Sequence, residues 1–152
     1  MSNKEQFSKF ILDVDGVITT GRFFYSEEGK ILKEFGPDDH DALKILSQFM
    51  DIEFISADSK GFKISKKRIE EDMGFNLSLV STSNRLEWFL KNTEPSKTIY
   101  MGDSFKDIQI FSKVGYSISP SNADIYCKKN SDYVTDSSGG NRAVSEACFH
   151  IL

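Results

Sequence analysis

The stretch Phe10-Ile11-Leu12-Asp13-Val14-Asp15-Gly16-Val17 narrows the possible folds more than any other part of the chain. A short apolar run of this kind reads as a strand buried on both faces, the usual condition in a parallel sheet. Here the run ends on an acid, a second acid follows two residues later, and a glycine lets the backbone turn away. Two carboxylates are therefore expected at the C-terminal end of a buried strand, the edge where open α/β sheets bind their ligands.

The rest of the chain alternates in the way such a sheet needs. Arg22-Phe23-Phe24-Tyr25-Ser26 and Lys30-Ile31-Leu32-Lys33-Glu34-Phe35 flank Glu27-Glu28-Gly29, which predicts a β-hairpin directly after the first strand. Its aromatic residues call for a covering surface, and an oligomer interface is the expected one. Gly36-Pro37 ends it, and Asp38 or Asp39 is placed to cap a helix with Leu43, Leu46, Phe49 and Met50 on one face. Further strands are expected at 52–56, 77–80, 98–101, 115–119 and 133–134. Helices are expected from Ser59 to about Met73 with Gly74 as the stop, from Ser83 through Leu86, Phe89 and Leu90, and after Asp103 with Phe105, Ile108, Phe111 and Val114 inward. A short helix near 122–127 and a last one from about Arg142 complete the pattern. This predicts an α/β fold, a doubly wound parallel sheet in one domain of 152 residues.

A net charge of -4 gives no broad positive field, which argues against nucleic acid or an anionic membrane as the main partner. No apolar stretch approaches the roughly 18 residues of a membrane span, so a cytoplasmic location is expected. Cys127 and Cys148 form no CxxC pair and read as reduced thiols. His40, in an acidic helix start, reads as a surface residue, and His150 lies at the chain end.

Three predicted strands end on polar groups: Asp13 and Asp15, Ser56, and Gly102-Asp103-Ser104-Phe105-Lys106-Asp107. If these ends share one crevice, four carboxylates repel one another unless a cation sits among them. Hard oxygen ligands of this type suit magnesium.

Taken in order, Asp13-Val14-Asp15-Gly16-Val17, the strand-ending Ser56 and Gly102-Asp103 with Asp107 resemble the haloacid dehalogenase superfamily of aspartate-nucleophile phosphatases. The hairpin after Asp15-Gly16-Val17, Phe35 through Asp39, Ser83-Asn84 before a basic residue, and Tyr133-Val134 with Gly139-Gly140 and Ala143-Val144 are similar to its 3-deoxy-D-manno-octulosonate 8-phosphate phosphatase branch. The resemblance spans nearly the whole chain. It implies hydrolysis of a phosphorylated acidic sugar, of the octulosonate or nonulosonate kind, through an aspartyl-phosphate. Asp13 would attack phosphorus, and Asp15 would protonate the leaving oxygen and then deprotonate the attacking water. Mg2+ would be held by the Asp13 carboxylate, the Asp15 backbone carbonyl and Asp103, supported by Asp107. Ser56 and Arg85 would bind the phosphoryl oxygens.

Elementary electrostatics asks for the same parts. A carboxylate approaching a phosphate dianion to about 4 Å meets roughly 8 kcal/mol of repulsion at an effective dielectric near 20, which a metal ion and a fixed cation remove. The sequence departs from the branch pattern in two places: Arg85 stands where lysine is usual, and Ser56-Ala57-Asp58 where Thr-Gly-Arg is usual. The stretches from Asp15 to Ser56 and from Ser56 to Arg85 are too short for a cap domain. Cover for the site would then come from the hairpin or the Gly139-Gly140-Asn141-Arg142 segment of a neighbouring subunit, as in the homotetrameric members.

Single acids after strands are often only turn residues, and the plainer alternatives are a capping hydroxyl for Ser56 and a solvated helix residue for Arg85. A receiver-type signalling domain is the alternative from another class. It would carry its aspartate after the third strand, where Val80-Ser81-Thr82 stands, and a lysine after the fifth, where Ile118-Ser119-Pro120 stands. A catalytically weak oligomeric binding module is the other alternative.

Overall fold

The computed structural model describes residues 6–152. The chain runs β1 (Lys9–Asp13), β2 (Thr19–Ser26), β3 (Gly29–Phe35), α1 (Asp39–Leu46), β4 (Asp51–Ser56), α2 (Phe62–Lys66), β5 (Asn76–Leu79), α3 (Arg85–Asn92), β6 (Thr98–Met101), α4 (Ile108–Phe111), β7 (Tyr116–Ser119), α5 (Ile125–Asn130), β8 (Tyr133–Val134) and α6 (Ala143–Ile151). Six strands form one sheet in the order β5-β4-β1-β6-β7-β8, and every neighbouring pair is parallel. Strands β2 and β3 make a separate antiparallel hairpin.

Side-chain alternation along β1 explains why the sheet is covered on both faces. Phe10 and Leu12 join one buried cluster with Leu43 and Leu46 of α1 and Val144 and Ala147 of α6. Ile11 joins the other, with Phe89 of α3, Tyr100 of β6 and Ile110 of α4. Because β1 is central, with Asp13 level with Ile55 of β4 and Leu12 level with Met101 of β6, the ends of all three strands open on the same edge. The two cysteines are buried free thiols, both pushed up by burial.

Several local expectations shift. The helix expected from Ser59 begins at Phe62 and continues past Lys66 as a π-helical segment, Lys67–Asp72, before Gly74 turns the chain at φ 80°. The short helix expected near 122–127 starts at Ile125, with the Asp124 side chain accepting the Tyr126 N–H. Neither Asp38 nor Ser83 caps through its side chain. The Asp38 carboxylate accepts Arg142 Nε at 2.6 Å, and the Ser83 hydroxyl pairs with that of Ser81. Phe49 and Phe105 face outward rather than inward. His40 is half-buried: its ring meets Phe75 edge-on, and Nε2 is buried without a partner. His150 lies flat on Tyr133 at 3.7 Å and is hydrogen-bonded to Tyr116.

Asp39 is the anomaly of the α1–α6 layer. It is buried, accepts the Ser145 N–H at 2.9 Å, and leaves its other oxygen without a partner. Burial pushes its carboxyl from 3.8 up to about 6. Folding therefore favours the protonated form, and stability is full below the unfolded pKa and falls as pH rises through about 6, by roughly 3 kcal/mol in all. Asp39→Asn is expected to flatten the urea-midpoint profile between about pH 4 and pH 6 and to be the more stable protein at neutral pH. A slope identical to that of the wild type would assign the anomaly elsewhere.

Candidate active site

The acids at the sheet edge are held by local turns. After β1, the N–H groups of Val17, Ile18 and Thr19 all point at the Val14 carbonyl, at 3.2, 3.0 and 3.2 Å, while Asp13 Oδ1 accepts the Val14 N–H at 2.8 Å. Gly16 sits in this loop at φ 82°, and a Cβ there would run into the Asp103 carboxylate, so only glycine lets the two loops approach. After β6, Ser104 and Asp107 form a capping box, in which Ser104 Oγ accepts the Lys106 N–H and the Asp107 carboxylate accepts the Ser104 N–H.

Carboxylate oxygens of Asp13, Asp103 and Asp107 thereby come within 4.8 Å of one another. Their roles differ. Asp107 is fully buried; Oδ1 accepts the Tyr100 hydroxyl at 2.7 Å and Arg85 Nη1 at 3.0 Å, and Oδ2 accepts the Asp103 and Ser104 N–H groups at 3.1 and 3.0 Å. With four donors on it, Asp107 braces the loop that presents Asp103. Burial pushes Asp103 up to about 8, with Asp13 and Asp107 adding to it. Asp13 rises to about 7, again chiefly through burial and against the pull of Arg85. Buried acids this close relieve their repulsion by taking protons or by taking a cation. The hard oxygens of Asp13 and Asp103, beside the half-buried Asp15, fit a magnesium ion.

Arg85 is 5% exposed, which rules out a solvated helix residue. Its Nη1 donates to Asp107 Oδ1 and Tyr100 Oη at 3.0 Å each and to Asp13 Oδ2 at 3.3 Å, while Nε is buried without a partner. These acids hold the guanidinium firmly protonated, and Tyr100 is raised by burial beside them. Ser56 is also buried, and its hydroxyl accepts the Asp58 N–H at 3.1 Å. The cavity over these residues, about 360 Å³, is lined by Asp13, Asp15, Phe23, Lys30, Asp58 and Lys106 among others, whereas Ser56 is not on its wall.

Two hairpin residues escape a reading of the sequence. Lys33 Nζ lies 2.9 Å from both Asp15 Oδ1 and Asp58 Oδ2, and Lys30 Nζ lies 2.7 Å from Asp58 Oδ2 and 4.0 Å above the Phe23 ring. Burial would raise Asp58, but hydrogen bonds from Lys30 and Lys33 outweigh it and hold the carboxyl at about 2. The acid that replaces the usual arginine is thus neutralised by the hairpin. No pattern in the sequence marks them, because an interval of three puts Lys30 and Lys33 on opposite faces of a regular strand.

Comparison with known proteins places this arrangement. The 3-deoxy-D-manno-octulosonate 8-phosphate phosphatase KdsC of Salmonella typhi is 30% identical over 162 residues, covering 100% of this chain and 82% of that protein. The same enzyme of Haemophilus influenzae is 30% identical and covers 100% and 87%. Among solved structures, the 3-deoxy-D-manno-octulosonate 8-phosphate phosphatase of Moraxella catarrhalis, in complex with magnesium, phosphate and KDO, aligns with a TM-score of 0.83 at 28% identity, covering 99% of this chain and 88% of that one. Neither the receiver-type nor the binding-module alternative is favoured by these relatives. The family of haloacid dehalogenase-like hydrolases matches residues 14–147. With nearly its full length matched and its acids gathered at the sheet edge that the fold provides, the chain belongs to the haloacid dehalogenase-like hydrolases.

Proposed function

We propose that the protein is a magnesium-dependent phosphatase that hydrolyses the phosphate monoester of a 3-deoxy sugar acid, 3-deoxy-D-manno-octulosonate 8-phosphate or a related nonulosonate 9-phosphate. The observation that carries this reading is the meeting of Asp13 and Asp103 at one sheet edge, with Asp15 and Arg85 beside them. An Asp13 oxygen bonds to phosphorus as the phosphorus–oxygen bond to the sugar breaks, and the departing oxygen takes a proton from Asp15. A water oxygen then bonds to phosphorus and gives a proton back to Asp15 as the bond to Asp13 breaks. Inorganic phosphate and the free sugar acid are the products, and one water is consumed. Magnesium, when bound by Asp13, Asp103 and the Asp15 carbonyl, supplies the positive charge that lets two anions meet. Arg85 keeps Asp13 aimed at the cavity and contributes a second fixed cation, and Ser56 fixes the loop that carries Asp58.

The finer features of the proposal are a cytoplasmic location and a homotetramer. Phe23, Phe24, Tyr25, Ile31 and Leu32 are all half or more exposed on the hairpin, an apolar surface that a second copy would cover. A screen of sugar phosphates with magnesium tests the substrate, and release is expected to be fastest with the 3-deoxy sugar acids. Equal or faster release from neutral hexose phosphates would overturn the substrate assignment, and a monomer mass by light scattering would overturn the oligomer.

A further inference from the structure

We infer that Lys33, reaching into the site from the hairpin, is the positioning residue that sets Asp15 for proton transfer, and that Asp58 and Ser65 hold Lys33 in place. The inference rests on the proposed phosphatase reading and adds a residue to its machinery. Among the described residues, Lys33 is the only hydrogen-bond partner of the Asp15 carboxylate, at 2.9 Å from Oδ1 and 3.0 Å from Oδ2. Asp15 itself sits within the tight turn that closes on the Val14 carbonyl and is about a third exposed, so without such a partner its carboxylate is free to rotate.

The geometry separates Lys33 from a substrate ligand. An ammonium carries three N–H donors. Lys33 has three acceptor groups around Nζ: the Asp15 carboxylate, Asp58 Oδ2 at 2.9 Å and Ser65 Oγ at 2.9 Å. Its side chain is 1% exposed, and it is not among the residues lining the cavity, whereas Lys30 is. A saturated, enclosed cation acts on the reaction only through what it holds. Asp58 and Ser65 come from the loop after β4 and from α2, so the same contacts fasten the hairpin to the sheet-edge side of the site. Ser65, buried in α2, fixes the distance at which the lysine stops.

The test exploits leaving-group chemistry. A sugar alkoxide cannot depart without a proton, whereas p-nitrophenolate can, so only the first needs a well-aimed Asp15. The ratio kcat/KM reports the steps up to departure of that group, and comparing two substrates on one protein cancels any loss of folded material. Lys33→Met is expected to lower kcat/KM for 3-deoxy-D-manno-octulosonate 8-phosphate on the order of 100-fold and that for p-nitrophenyl phosphate by less than about threefold. In an Asp15→Asn background, Lys33→Met is expected to add no further loss. A parallel fall with both substrates, no fall with either, or full additivity with Asp15→Asn would overturn the assignment. Failure of the underlying reading shows separately, as an Asp13→Asn protein that matches the wild type on p-nitrophenyl phosphate.

Discussion

Asp13→Asn is expected to lower phosphate release by about 10⁴-fold or more, because a nucleophile's removal leaves only binding and electrostatics to act. The substitution is close to isosteric. The amide oxygen can still accept the Val14 N–H, and Arg85 keeps Tyr100 and Asp107 as acceptors. What disappears is the oxygen anion that would bond to phosphorus and one of the charges that would hold the metal. Stability should move little or rise, since Asp13 is an acid whose carboxyl burial lifts to about 7, and a neutral amide escapes that cost. The combination distinguishes a chemical role from a structural one. Phosphate release is measured with saturating magnesium, and the urea midpoint is measured on the same preparations. Activity within about tenfold of the wild type would show that another group, or water directly, attacks phosphorus.

How much of this was legible in the sequence depends on the kind of signal. Asp13 and Asp103 were readable because each ends an apolar run whose burial on both faces fixes its place in a parallel sheet, and the sheet then brings the run ends together. The lysines were not, because a period of two puts Lys30 and Lys33 on opposite faces of a regular strand. In the structure Tyr25 pairs with Lys30 while Phe24 pairs with Leu32, so Ile31 is an extra residue on β3. That bulge turns both lysines to the same side, and no pattern in a single strand announces it. Phe105 failed for a related reason: it opens a 3-10 turn, Phe105–Asp107, whose three-residue period does not carry its phase into α4. Phe49 lies beyond the end of α1 at Leu46, where the helical period no longer applies.

Arg85, expected among the phosphoryl ligands with a solvated helix residue as the alternative, lies buried against Asp107, Tyr100 and Asp13. Arg85→Met is expected to destabilise the protein by roughly 3–5 kcal/mol, the range for leaving buried ion partners uncompensated. The buried Asp107 and Tyr100 would lose a shared donor and Asp13 its nearby cation, while the methionine replaces only the hydrophobic stem. Against a total stability of about 5–15 kcal/mol for a domain of this size, that is roughly a fifth or more of the margin. Arg85→Lys should behave differently. All three contacts run through Nη1 alone, so a single ammonium with three donors in that position can replace them, without the bidentate geometry that makes arginine hard to substitute. The expected order in urea, with EDTA present to exclude metal effects, is wild type close to Arg85→Lys and both well above Arg85→Met. If Arg85→Met lost less than about 1 kcal/mol, the acids would be stable without their cation. The guanidinium would then have to be assigned to the phosphoryl group rather than to the framework that aims Asp13.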